Sequence, residues 1–231
     1  MKMIKDFNQV IHVPLQGACV SHNDLESIRP QMKDRIVRTL ITRKLIHKRI
    51  KALAREIARY YKNQSRIEML FILEGASIFA HDLSREIYNC GGPEIRPQSI
   101  KASTYGTGIK AAGETDRSVK ILYFPSGLEG KSLLLVEDIV DQGFTLHAVK
   151  NWLFTETRAL EVKICALIEK NLDSPSPEVR KLRDNLKLDW VGFTIPDRWV
   201  AGYGIDVGDD FRFLPFVAVA REEYYKQRQG G

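Results

Sequence analysis

The segment Leu133 to Leu146, LLLVEDIVDQGFTL, gathers the residue types in this chain best suited to chemistry. A hydrophobic strand, Ser132 to Val136, runs into two adjacent carboxylates, Glu137 and Asp138, at its carboxyl edge. Two acids side by side repel each other, so a partner is expected. A vicinal diol fits, because two carboxylates can accept its two O–H hydrogens. A magnesium ion on the other side fits as well, being a hard cation that favours oxygen ligands. Asp141 follows, and Gln142-Gly143-Phe144-Thr145 leads into a helix over Leu146 to Thr155. The N–H groups at a helix start, with the helix dipole behind them, attract an anion. Gly143 lets the backbone approach closely, and the Thr145 hydroxyl adds a donor. A diol site beside a monophosphate site has the shape of a ribose 5-phosphate pocket. The plainer alternative is a solvated strand end with Asp141 as a helix cap.

Such residues need a scaffold that presents strand ends together. Ile46, Ile50, Leu53, Ile57 and Tyr61 recur at helical spacing, predicting a helix from about Thr42 to Tyr61. Ile67 to Leu73 reads as a strand ending at Glu74-Gly75, and Ser77 to Tyr88 as a helix with Ile78, Phe79, Leu83 and Ile87 on one face. Ile95 to Thr104 is a second strand candidate. Tyr105 to Ser118, with Gly106, Gly108 and Gly113, reads as a long mobile loop. Val162 to Ile168 reads as another strand and Asp173 to Pro177 as a loop. Trp190 to Ile195, Trp199 to Ile205 and Phe213 to Ala220 are closely spaced strand candidates. Residues 1–34 read as irregular. Alternating strands and helices predict an α/β fold, a central parallel sheet with helices on both faces. In such sheets ligands bind beyond the carboxyl ends of strands, where strand order reverses.

Composition agrees. The chain has 231 residues, 44% hydrophobic and 28% charged, which excludes a disordered chain, a collagen and a coiled-coil rod. The whole chain is expected to form a single domain. Cys19, Cys90 and Cys165 are too few and too far apart for a disulfide framework or a zinc site, so a reducing compartment follows. No signal-peptide pattern opens the chain, and no run reaches the roughly 18 apolar residues of a membrane span, so a cytoplasmic location and no membrane partner are expected. The 35 Lys and Arg exceed the 29 Asp and Glu, giving a net charge of +6, but the charges are scattered. The densest basic stretch, Arg35 to Lys62, reads as the solvated face of a helix, and no nucleic-acid partner is expected.

The Leu133 to Leu146 string closely resembles the phosphoribosyl-pyrophosphate signature of the type I phosphoribosyltransferases. In that signature a hydrophobic strand is followed by two acids, two apolar residues, Asp, then Thr or Ser, Gly, any residue and Thr. Gln142 departs from it, standing where the family usually has Thr or Ser; its amide can still donate. The C-terminal segment DWVGFTIPDRWVAGYGIDVGDDFR is similar to that of the 6-oxopurine branch, the hypoxanthine-guanine phosphoribosyltransferases, and the resemblance runs from about Thr42 to Val219.

The resemblance implies roles residue by residue. Glu137, Asp138, Gln142, Gly143, Phe144 and Thr145 would hold ribose phosphate, and Asp141 would be the general base. Lys170 would donate to the purine 6-oxo group, Trp199 would stack on the base, and the Val200 backbone would bond its edge. The Glu74-Gly75 loop and Arg212 would meet pyrophosphate. Glu74 stands where the family often has Lys, so its side chain is expected to point away. Ser103, Thr104 and Tyr105 match the mobile catalytic loop. Magnesium would sit with Glu137, Asp138 and, through water, Asp206. A small hood, formed by the N-terminal segment and about 170–212, would cover the purine. The implied substrates are phosphoribosyl pyrophosphate and hypoxanthine or guanine, and the implied assembly is a homodimer or homotetramer. The alternative is a regulator on the same fold that senses phosphoribosyl pyrophosphate or nucleotide and binds nucleic acid.

Overall fold

The computed structural model describes residues 1–104 and 119–228; Tyr105 and the rest of the glycine-rich segment to Ser118 lie outside the described residues. The elements in chain order are β1 (Lys2–Met3), β2 (Ile11–His12), β3 (Ala18–Cys19), β4 (Ile36–Ile41), α1 (Arg43–Tyr60), β5 (Arg66–Leu73), α2 (Ser77–Asn89), β6 (Glu94–Thr104), β7 (Val119–Tyr123), β8 (Ser132–Val140), α3 (Phe144–Thr155), β9 (Glu161–Asn171), α4 (Pro177–Asn185), β10 (Trp190–Pro196), β11 (Val200–Ala201), β12 (Val217–Ala220) and α5 (Glu222–Arg228).

Seven strands make the main sheet, in the order β2-β10-β9-β8-β5-β6-β7. Neighbours run parallel except β6 and β7, which are antiparallel. The Leu133 to Val136 run is apolar at every position because both faces of its strand are covered. Leu134 and Val136 pack with Ile46, Leu53 and Ile57 of α1 and Phe79 and Leu83 of α2. Leu133 and Leu135 pack on the other side with Leu146, Val149 and Leu153 of α3. Chain order runs one way from β5 to β6 and the opposite way from β8 through β9 to β10. The reversal therefore falls between β5 and β8, and it brings the segments after Leu73 and Val140 side by side. A second sheet, β1-β3-β4-β12-β11, joins the N-terminal segment to the C-terminal one.

Several expectations are corrected. β8 runs through Val140 rather than ending at Val136, because Glu137 and Val140 stay in register with Ala166 and Glu169 of β9. Residues 1–34 contain three two-residue strands. The basic stretch from Arg35 is strand β4 and then α1, and its Arg49 is buried, donating to the carbonyls of Phe7, Val191 and Gly192. Trp199 to Ile205 is strand only at Val200–Ala201, because Gly202, Tyr203 and Gly204 all take positive φ and turn the chain out of the extended state. Within 170–212, Trp190–Pro196 belongs to the main sheet, whereas Val217–Ala220, beyond that range, lies inside the second sheet.

Candidate active site

At the reversal, a cavity of about 350 Å³ is lined by Glu74 and Gly75 after β5, Glu137 to Leu146 from β8 into α3, and Asp206 and Arg212. Both acids of the pair are buried, not solvated. Desolvation pushes Glu137 well above the ordinary carboxylate range, and the adjacent Asp138 adds to the shift. Burial raises Asp138 too, opposed by hydrogen bonds from Glu137 and from the Ile139 amide and by the charge of Arg212. The pair offers carboxyl oxygens to a ligand in the cavity.

The anion-binding half is built by a turn and a helix start. Gly143, with φ +88°, is the N-cap of α3, so the helix opens two residues earlier than predicted and Asp141 does not cap it. The first turn, Phe144 to Leu146, lines the cavity, and helix geometry gives the Thr145 and Leu146 N–H groups no acceptor within the helix. Gln142 also lines it, and its Oε1 is buried with no hydrogen-bond partner among the described residues. Turning the amide over would place its donor there instead.

Across the cavity the glycine loop is wedged. A Cβ on Gly75 would stand 1.9 Å from Asp138 Oδ2, and one on Gly204 would stand 2.0 Å from the Gly75 carbonyl oxygen. Asp138, Gly75 and Gly204 thus form a stack with room for main chain and nothing more. Behind it, Arg212 donates to the Gly204 carbonyl and pairs with Asp206 at 2.7 Å, so these two form an ion pair inside the cavity wall rather than on an outer surface. The Leu73–Glu74 peptide is cis. The Glu74 side chain is exposed and pairs with Lys101 at 3.4 Å.

Asp141 lines the cavity and pairs with Lys170 at 3.1 Å. Lys170 lies inside β9, not just after it, and is buried; Asp197 approaches its other side at 3.9 Å. Trp199 and Val200 are not in the cavity lining. The Trp199 ring lies 6.4 Å from that of Tyr225, at 29° between planes. Val200 opposes Val219, and the Ala220 N–H bonds the Trp199 carbonyl, so the N–H and C=O of Val200 point away from β12 toward the sheet edge. Ser103 and Thr104 end β6, opposite Lys120 and Val119, while Tyr105 is outside the described residues.

Sequence reasoning missed the supports. Arg183 of α4 donates to the carbonyls of Asp141 and Lys170 and to Glu169. Tyr203 donates to Asp82 of α2, tying the Gly204 segment to the helix that follows Gly75. The signal for α4 was present: Ser176 caps it by accepting from the Val179 N–H, and Pro177 sits at its first turn.

Magnesium can be tested against these donors. Among the described residues no three acidic, His or Cys side chains converge to hold a metal on their own. Mg²⁺ needs no such cage, since it binds through one or two carboxylates, waters and substrate phosphates. The desolvated Glu137–Asp138 pair, with hard oxygen donors facing a cavity, fits that mode.

Comparison with known proteins points the same way. A profile of the phosphoribosyl transferase domain matches residues 39–207. A hypoxanthine-guanine phosphoribosyltransferase of Bacillus subtilis (strain 168) is 32% identical over 196 residues, covering 84% of this chain and 99% of that protein. A hypoxanthine phosphoribosyltransferase of Escherichia coli (strain K12) is 35% identical over 184 residues, 78% of this chain and 93% of the relative. Among solved structures, a hypoxanthine-guanine phosphoribosyltransferase from Bacillus anthracis aligns with a TM-score of 0.66 at 32% identity, covering 80% of this chain and 98% of that one. The Trypanosoma cruzi hypoxanthine phosphoribosyl transferase aligns with a TM-score of 0.70 at 30% identity, covering 86% and 98%. The matched region takes in both strand ends that frame the cavity and reaches Asp206. The chain belongs to the phosphoribosyltransferase family.

Proposed function

We propose that this protein is a purine-salvage transferase that moves the 5-phosphoribosyl group of phosphoribosyl pyrophosphate to N9 of hypoxanthine or guanine. The C1–O bond to pyrophosphate breaks, the C1–N9 bond forms, and IMP or GMP leaves with pyrophosphate. The observation that carries the reading is one cavity bounded by an acid pair, a helix start and a glycine loop. These suit a diol, a monophosphate and a diphosphate in turn.

Glu137 and Asp138 would grip the ribose hydroxyls, while Gln142 to Thr145 hold the 5-phosphate. The Gly75 main chain and Arg212 would face the diphosphate as negative charge grows on it, and stabilisation of such charge is commonly the largest catalytic term. Magnesium, held by Glu137 and Asp138 and through water by Asp206, would supply further charge neutralisation when bound. Asp141 would take a ring proton from the purine as N9 attacks. A 6-oxopurine with its proton on N7 presents an acceptor, O6, beside a donor. Lys170 and Asp141 offer the complementary donor and acceptor. The 6-amino group of adenine would instead meet an ammonium that can only donate.

The second sheet and the segment carrying Trp199 would form the hood over the base, with Trp199 as its stacking ring and Val200 bonding the purine edge from its outward-facing main chain. Ser103, Thr104 and Tyr105 would close over the reaction. The same proposal includes a cytoplasmic enzyme assembled as a homodimer or homotetramer, checked by light scattering. The relatives described above carry enzyme names, and no observation favours the regulatory alternative.

The test is magnesium-dependent nucleotide formation from phosphoribosyl pyrophosphate with hypoxanthine, guanine, xanthine and adenine in turn. IMP and GMP with equimolar pyrophosphate support the reading. No nucleotide from any purine contradicts it.

A further inference from the structure

β8 and β9 stay in register as far as Val140 and Glu169, and β8 ends there. Asp141 and Lys170 are the first residues past that last pair: Lys170 is still paired with Ile195 of β10, whereas Asp141 lies beyond the end of β8. One guanidinium bridges the two. Arg183 Nη1 donates to the Lys170 carbonyl at 2.7 Å and to the Asp141 carbonyl at 3.1 Å, while Nη2 is held by Glu169 Oε1 at 2.7 Å. The Arg183 side chain is 16% exposed. A planar fork with five donors can serve two carbonyls and a carboxylate at once, which a lysine cannot. The helix that carries it is itself seated on the anion turn. A Cβ on Gly143 would lie 3.0 Å from Leu182 and 3.7 Å from Arg183 Cγ.

We propose that Arg183 is a positioning residue that locks Asp141 and Lys170 in the register needed to read the purine edge. The inference rests on the transferase reading above. It assigns α4 a task in base recognition, separate from ribose-phosphate binding: the carbonyls of Asp141 and Lys170, whose side chains meet at 3.1 Å, share one clamp. A shift of about 1 Å in such a pair can lower turnover on the order of 100-fold.

The test uses the full chain and Arg183→Met, which keeps the alkyl packing near Gly143 and removes all three hydrogen bonds. Three readouts are taken: steady-state constants for each substrate, the ratio of hypoxanthine to adenine use, and peptide-level hydrogen exchange over 139–147. The expected result is a fall in kcat/KM for hypoxanthine of about 10- to 100-fold. The KM for phosphoribosyl pyrophosphate should stay within about twofold, preference over adenine should narrow, and exchange over 139–147 should quicken, with Arg183→Lys recovering part of the loss. Unchanged hypoxanthine constants overturn the proposal, as do equal losses for both substrates, which a merely structural role would give. Should Arg183→Met fail to fold, Glu169→Gln, which weakens the tether and leaves both carbonyl bonds, must show the same split at smaller size; its absence also overturns the proposal. A wild-type protein without transferase activity overturns the function, and the exchange readout still judges the clamp.

Discussion

Lys170 Nζ lies 3.1 Å from Asp141 Oδ2, so the two groups proposed to take opposite tasks toward the purine are each other's partner. Asp141 is half exposed and lines the cavity, whereas Lys170 is nearly enclosed, with Asp197 at 3.9 Å on its far side. On the proposed reading, an entering base would exchange this ion pair for two hydrogen bonds to its own edge. The pair would then couple base recognition to proton transfer through one contact.

Asp141→Asn keeps an acceptor oxygen but removes the group proposed to take the proton. Turnover should fall by at least about 100-fold, with little change in binding of phosphoribosyl pyrophosphate. Pre-steady-state kinetics with hypoxanthine measures both; near-normal turnover refutes the assignment of the base.

Lys170→Ala removes the donor proposed to match a 6-oxo group and to reject a 6-amino group. The ratio of hypoxanthine to adenine use should shrink. An unchanged ratio in a competition assay would show that another group reads the 6-position.

Gly75→Ala drives a methyl group into Asp138, 1.9 Å from Oδ2. Overpacking of this kind lowers stability by about 1–3 kcal/mol, readable by urea unfolding. The displaced Asp138 should also abolish measurable turnover. Wild-type stability together with wild-type turnover would show that the stack of Asp138, Gly75 and Gly204 is looser than described.

Glu74→Ala separates the side chain of the pyrophosphate loop from its main chain. The carboxylate is exposed and pairs with Lys101, so an ion pair of this kind is worth about 0–1 kcal/mol and little else should change. Product inhibition by pyrophosphate should stay close to that of the wild type; a large change in either direction would show that the side chain faces the site.

The inner strands β5, β8 and β9 were legible because they are largely continuous apolar runs, and α1 because it carries a clear stripe, as Leu133 to Val136 and Ile46 to Ile57 show, whereas the edge strands β2 and β7 were not. The site string was legible because two acids, an Asp and a glycine turn follow one such run. The extent of β8 was not legible, since adjacent acids look like a strand end until burial and the β9 ladder hold them in it. Nor was the partnership of Lys170 with Asp141, which depends on neighbouring strands meeting across a long stretch of sequence. The clamp by Arg183 was hidden for the same reason, and α4 was masked by a Ser- and Pro-rich approach. The Trp199 segment misled because Gly202 to Gly204 turn where β-branched and aromatic residues suggest a strand.

The central claim is that neighbouring acids and the start of α3 hold one sugar phosphate between them. A crystal structure with ribose 5-phosphate bound tests it most directly. The account predicts the ribose hydroxyls on Glu137 and Asp138, with the phosphate on the Gln142 to Thr145 turn. A sugar phosphate bound elsewhere, with this corner unchanged, would contradict the site and every residue role built on it.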